Sequence, residues 1–168
     1  MQVCFIGHRT INKNDKLVSL LKRVVISLIN NGVTTFLFGS KSEFNDLSWE
    51  IVTELKKIYP FIKRVYIRSA YQHIDKSYEK YLLQSYEETY FPLKLEKAGK
   101  CSYIERNYEM IENSNYCVFY YNEHYSPPVK RNTKHDMLLP SNRKSGTKIA
   151  YNYAVKKKKK IFNLYELI

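Results

Sequence analysis

Three short stretches place glycine beside groups suited to holding an anion: Gly7-His8-Arg9, Gly39-Ser40-Lys41-Ser42-Glu43 and Ser145-Gly146-Thr147. Glycine lets a backbone approach a phosphate closely, and the start of a helix offers unpaired N–H groups to it. The guanidinium of Arg9 matches the geometry of a phosphate or carboxylate. The hydroxyls of Ser145 and Thr147 can donate to the same oxygens, with Gly146 removing obstruction between them. Arg68-Ser69 and Arg106-Asn107 add further donors, whereas His8 is a lone imidazole with no partner legible in the sequence.

Each of these residues also has a plainer reading. Gly7 can serve a tight strand-to-helix turn, and Arg9 and Arg106 can be solvated surface residues. Glu43 and Asp46 can complement a helix dipole, with Ser42 as the cap. The chemical reading of Glu43 is a carboxylate that accepts ribose hydroxyls, or acts as nucleophile or base on a glycosidic carbon. The tyrosines Tyr120, Tyr121, Tyr125, Tyr151 and Tyr153 divide between core, surface and base-stacking roles.

No metal or cofactor is expected. The three cysteines, Cys4, Cys101 and Cys117, form no C-x-x-C pair. Cys4 and Cys117 lie in apolar runs and read as buried thiols. The chain has no G-x-x-x-x-G-K-[ST] and no G-x-G-x-x-G, which excludes a P-loop and the standard dinucleotide fingerprint.

The elements that must position these groups alternate in type. "VCFIGHR" reads as a continuously apolar strand covered on both faces. In the next stretch Leu17, Leu20, Leu21, Val24, Val25 and Leu28 recur at helical spacing, with Asn14 or Asp15 as cap and Asn31-Gly32 as stop. "VTTFLFGS" is a strand, "SEFNDLSWEIVTELKKIYP" a helix stopped by Pro60, and "KRVYIRSA" a strand. Residues 75–92 predict one short helix closed by Pro92. "YIERNYEMIENS" predicts a helix, "NYCVFYYN" a strand, residues 122–144 a long loop, "SGTKIAYNYAVKKKK" a helix and "KIFNLYEL" a final strand. This order predicts a single domain over residues 1–168. Its class is α/β: a Rossmann-like, doubly wound, mostly parallel sheet with helices on both faces. Ligands bind such sheets beyond the C-terminal ends of the strands, where the glycine-containing corners fall.

The formal charge is +12. It fits DNA, a phosphorylated small ligand or no anionic partner, and the abundance of residues with AT-rich codons supplies a second source for it. The run Lys156 to Lys160 either complements the dipole of the last helix or forms a nucleic-acid patch. No apolar run approaches bilayer length, and the start of the chain has no signal-peptide pattern, so no membrane partner and a cytoplasmic location are expected.

Together "CFIGHR", "FLFGSKSEFNDLSWEIVTELKKIYPFIKRVYIRSAY", "IERNYEMIENSNYCVFYY" and "KSGTKIAYNYAVKKKKKIFNL" resemble the SLOG superfamily, named for its Smf/DprA and LOG members. The closest likeness is to the YpsA-like, single-domain bacterial branch. The resemblance implies a Rossmann-like domain that binds nucleotides or nucleotide-derived ligands. It implies a pocket lined by Gly7, Gly39, Gly146 and Thr147, with Arg9, Ser40, Glu43 and Arg106 nearby. A homo-oligomer is the default that accompanies it. LOG-type phosphoribohydrolases carry P-G-G-x-G-T-x-x-E, whereas this chain has "RKSGTKIAY", with Ala150 at the glutamate position. The leading expectation is therefore a sensor or binding module for a nucleotide-derived small molecule. Hydrolysis or transfer of an N-glycosidic bond, with Glu43 as the carboxylate, and single-stranded nucleic-acid binding are the alternatives.

Overall fold

The computed structural model describes residues 1–39, 41–126 and 145–168. Within them, strands β1 (Gln2–Gly7), β2 (Thr35–Phe38), β3 (Lys63–Ile67), β4 (Glu88–Tyr90), β5 (Tyr116–Tyr120) and β6 (Lys160–Asn163) form one sheet. They alternate with helices α1 (Asp15–Asn30), α2 (Glu43–Lys56), α3 (Lys76–Leu83), α4 (Ser102–Glu112) and α5 (Gly146–Lys156). The strand order is β4-β3-β2-β1-β5-β6, and every pairing is parallel. The chain builds outward from β1 to β4, then returns to lay β5 on the other side of β1. This is the doubly wound α/β arrangement, with its switch point between β1 and β5.

Alternation along β1 divides the core. Val3 and Phe5 join Leu17, Leu21 and Val25 of α1 and Phe44 and Val52 of α2. Cys4 and Ile6 point the other way, toward Met110 and Ile111 of α4 and Ala150 and Ala154 of α5. Helices therefore cover both faces, and β1 and β5 read as unbroken apolar runs. The helix starts are capped as short polar side chains dictate. Asn14, rather than Asp15, caps α1 and accepts from the Leu17 N–H at 2.9 Å. Ser42 caps α2, accepting from the Asn45 N–H at 3.2 Å, and Ser145 caps α5, accepting from the Lys148 N–H at 3.1 Å.

Two stretches differ from the sequence reading. Residues 75–92 hold not only helix α3, capped by Asp75, but also the edge strand β4. Three residues are too few to show an alternation, and β4 is held instead by pairing with β3 and by the adjacent Glu87–Arg64 ion pair. The final strand also stops early. The Asn163 amide accepts from the Tyr121 N–H and donates to the Tyr121 carbonyl, both at 3.0 Å, replacing the next rung of the ladder. Leu164–Leu167 then form a 3-10 turn. Most of the long loop expected over 122–144, residues 127–144, lies outside the described residues. Among the described residues, no helix is long and apolar enough to cross a membrane.

Candidate functional site

A cavity of about 720 Å³ opens at the C-terminal edge of the sheet. The ends of β1, β2 and β3 form its floor and sides, and the first turns of α4 and α5 close it. Gly7, His8, Arg9, Gly39, Arg68, Arg106, Ser145, Gly146 and Thr147 all line it. Residues from five separate corners thus meet in one hollow. Ser40 lies outside the described residues, and Glu43 is not part of the lining.

Glu43 has a different task. Its carboxylate accepts from the Ile11 N–H at 2.9 Å, while its own N–H donates to the Arg9 carbonyl at 2.9 Å. These bonds tie the loop after β1 to the start of α2 and set the backbone from which Arg9 extends.

The three glycines clear space for the protein's own side chains. A Cβ on Gly7 would stand 2.4 Å from Cδ1 of Phe44, so this glycine seats α2 against β1. A Cβ on Gly39 would lie 2.9 Å from Cδ and Nε of Arg106, and one on Gly146 would lie 3.2 Å from Tyr103. Gly39 makes room for the Arg106 side chain, and Gly146 for the Tyr103 ring. In this structure, close approach of backbone to side chain accounts for these positions before any ligand does.

Arg106 dominates the electrostatics. It is buried, and Nη1 donates to the Gly39 carbonyl and, at 3.2 Å, to Ser69 Oγ. Nη2 donates to Asn107 Oδ1 at 3.0 Å. All three acceptors are neutral. Among the described residues no carboxylate forms an ion pair with it, and burial lowers its pKa to about 10. Arg9, Lys41 and Arg68 add three more cations to the wall, and no aspartate or glutamate is among the described lining residues.

His8 is also buried. The Asn122 N–H donates to its Nε2 at 2.9 Å. The same Nε2 lies 3.1 Å from the Asn122 carbonyl oxygen, so it sits between a backbone donor and a backbone acceptor. The Tyr125 ring stacks on the imidazole with centroids 3.8 Å apart. Burial pushes the His8 pKa down to about 4, against a smaller opposing effect of the Asn122 backbone bond. Among the described residues, the buried side-chain polar atoms without a partner are His8 Nδ1, Arg68 Nε and Arg106 Nε. All three residues line this cavity. Buried polar atoms without partners are rare in folded proteins, and here three of them gather at one place.

Sequence reasoning did not single out Tyr66 or Tyr103. Tyr103 precedes Arg106 by one helical turn and so shares its face of α4, a spacing that could have found it. Cys4 and Cys117 are opposite each other in the β1–β5 register, both free and buried. The hydrogen bond with Cys4, and then burial, push the Cys117 thiol far up, which makes it inert. Among the described residues, no group of three or more His, Cys, Asp or Glu is placed to hold a metal ion.

No protein-family profile matches the chain, and no curated protein matches it significantly.

Proposed function

We propose that this protein binds a nucleotide or nucleotide-derived anion at the C-terminal edge of its sheet, as a cytoplasmic sensor or binding module of the SLOG type. The observation that carries the reading is Arg106, a buried guanidinium with neutral acceptors only. A buried charge is costly unless it is paired. A phosphate supplies both the missing charge and further acceptor oxygens. The surroundings suit it: three other cations line the wall, and the first turn of α5 carries no acidic residue. A cavity of about 720 Å³ is also of a size that takes a small ligand.

Binding is favoured over cleavage of a glycosidic bond. Such cleavage uses a carboxylate close to the anomeric carbon. The described lining has none, and the Glu43 carboxylate is occupied by the Ile11 N–H.

The test is native mass spectrometry of protein purified from its host, followed by calorimetry with a panel of nucleotides. A co-purifying or titrating nucleotide is expected. Arg106→Met should weaken it by tenfold or more, on the order of one charge-assisted hydrogen bond. Arg9→Ala should weaken it less and leave the melting temperature unchanged, because Arg9 is exposed. Binding by Arg106→Met equal to that of the wild type would overturn the proposal.

A further inference from the structure

A second hollow, of about 430 Å³, opens beside the cationic cavity and shares Lys41 and Tyr66 with it. Its chemistry is different. Four aromatic rings, Trp49, Tyr66, Tyr81 and Tyr86, wall the cleft. Asp46 and Glu50, one turn apart on α2, bring carboxylates to it. The wall is rigid. Tyr66 and Tyr86 stack with centroids 5.1 Å apart, and Trp49 stands edge-on to Tyr86 at 6.4 Å. The Trp49 indole N–H is fixed on the Ser85 carbonyl at 3.1 Å, and Arg64 lies 5.6 Å over its ring. Glu50 already pairs with Lys13 at 3.1 Å, whereas among the described residues Asp46 forms no ion pair. Burial, and then the charges of Glu50 and Glu43, hold the Asp46 carboxyl above its usual range.

We infer that this cleft receives the base of the ligand whose phosphate occupies the cationic cavity, and that the base is an amino-purine, guanine best of all. The inference rests on the nucleotide reading of that cavity and adds an orientation and a base preference to it. Aromatic walls stack any base. The carboxylate selects among bases, because it accepts hydrogen bonds and donates none. Guanine presents two adjacent N–H donors, on N1 and N2, which match the two oxygens of one carboxylate. Hypoxanthine lacks the amino donor, and uracil offers more carbonyl oxygens, which a carboxylate repels. The reverse orientation would press a phosphate against Asp46 and Glu50 and leave the guanidinium of Arg106 facing a neutral ring. Charge complementarity therefore allows one polarity only. The shared Lys41 and Tyr66 make the two hollows neighbours, within reach of a single nucleotide.

Trp49 is the only tryptophan in the chain, so its emission reports the cleft directly. The experiment titrates the full chain with GMP, IMP and ribose 5-phosphate, following calorimetry and Trp49 fluorescence together. All three should bind. Ribose 5-phosphate should leave the emission unchanged, and GMP should shift it saturably and bind about tenfold tighter than IMP. Asp46→Asn should bring GMP and IMP to equal affinity without changing that for ribose 5-phosphate. Tyr81→Ala, at an exposed position, should weaken GMP and IMP alike. Equal binding of GMP and ribose 5-phosphate with silent Trp49 emission would overturn the base site and leave the nucleotide reading standing. A preference for GMP that survives Asp46→Asn would overturn the role of the carboxylate. Failure of all three probes while another nucleotide of the panel binds would overturn the base preference alone, and failure of the whole panel to bind folded protein would remove both readings.

Discussion

Arg64 and Arg106 are 9 % and 5 % exposed, yet the two regions around them are built on opposite terms. At the β3–β4 edge, Nε and Nη2 of Arg64 donate to the two oxygens of Glu87 at 3.2 and 2.7 Å. Nη1 donates to Thr53 Oγ1 at 2.8 Å, and the guanidinium lies over Trp49. Burial acts to raise the Glu87 carboxyl, but the bonds and charge of Arg64, with Lys56 nearby, hold it below its usual range. At the C-terminal edge of the sheet, Arg106 meets a carbonyl, a hydroxyl and an amide, and its Nε meets nothing. One arginine is neutralised by the chain itself and fastens an edge strand. The other is held ready with its charge unanswered. The contrast separates a buried charge that the chain neutralises from one that it leaves with neutral partners.

The largest effect is expected where Arg64 is made to resemble Arg106. Glu87→Gln strands Arg64 without a counterion, and urea denaturation should show a loss of about 3 kcal/mol, the lower end for a broken buried pair because Glu87 is partly exposed.

Protonating His8 tests the other side, by adding charge to a cavity that already lacks acids. Its folded pKa of about 4 lies below the ordinary 6.5. Between those values the unfolded chain binds a proton that the folded chain does not. Stability present above pH 6.5 is therefore lost as pH falls toward about 4, by roughly 3 kcal/mol from this residue. Urea denaturation near neutral pH and near pH 4 should show this loss in the wild type. It should be smaller by that amount in His8→Gln, which keeps an acceptor for the Asn122 N–H.

Ser69→Asp would give Arg106 a carboxylate partner like the one Arg64 has in Glu87. Ser69 Oγ is already 3.2 Å from Nη1. Thermal denaturation should show a gain of about 1 kcal/mol, and nucleotide affinity should fall at least about tenfold, since the new carboxylate takes the anion's place. The smallest effect is the control. Lys13–Glu50 is a surface pair with side chains 55 % and 56 % exposed. Lys13→Ala should change stability by about 0.5 kcal/mol or less, so that exposure, rather than the number of ion pairs, is seen to set the scale.

Much of the frame is legible before folding. Leu17, Leu21, Val25 and Leu28 at helical spacing become the buried stripe of α1. Ser42 and Ser145, read as helix starts, are caps. Glycine, arginine and hydroxyl residues at the ends of strands suffice to point to one edge of the sheet, because a parallel sheet with helical crossovers puts every strand end there. The carboxylates are less legible. Glu43, beside the glycine turn, looks as well placed for chemistry as Arg9, but its side chain turns to the Ile11 N–H. Glu87 lies in an acidic, tyrosine-rich stretch whose strand is too short to announce itself, so nothing marks it as the counterion of Arg64. The aromatic cleft gathers Trp49, Tyr66, Tyr81 and Tyr86 from α2, β3, α3 and the turn that follows α3, and no spacing in the chain relates them.

Among the described residues, five of the six strands, all five helices, most helix starts and the polar edge of the sheet can be read along the chain; the three-residue β4 cannot. Apolar periodicity and capping act within a few residues, so they can be read along the chain. That Arg64 is paired and Arg106 is not, that Gly39 admits Arg106, and that burial against Asn122 keeps His8 neutral all follow from the packing of distant segments. Those contacts join residues 67 and 114 positions apart. Clearance around a Cβ, the presence of a counterion and the desolvation of a ring depend on which atoms arrive from elsewhere, and that is settled only when the two faces of the sheet are covered.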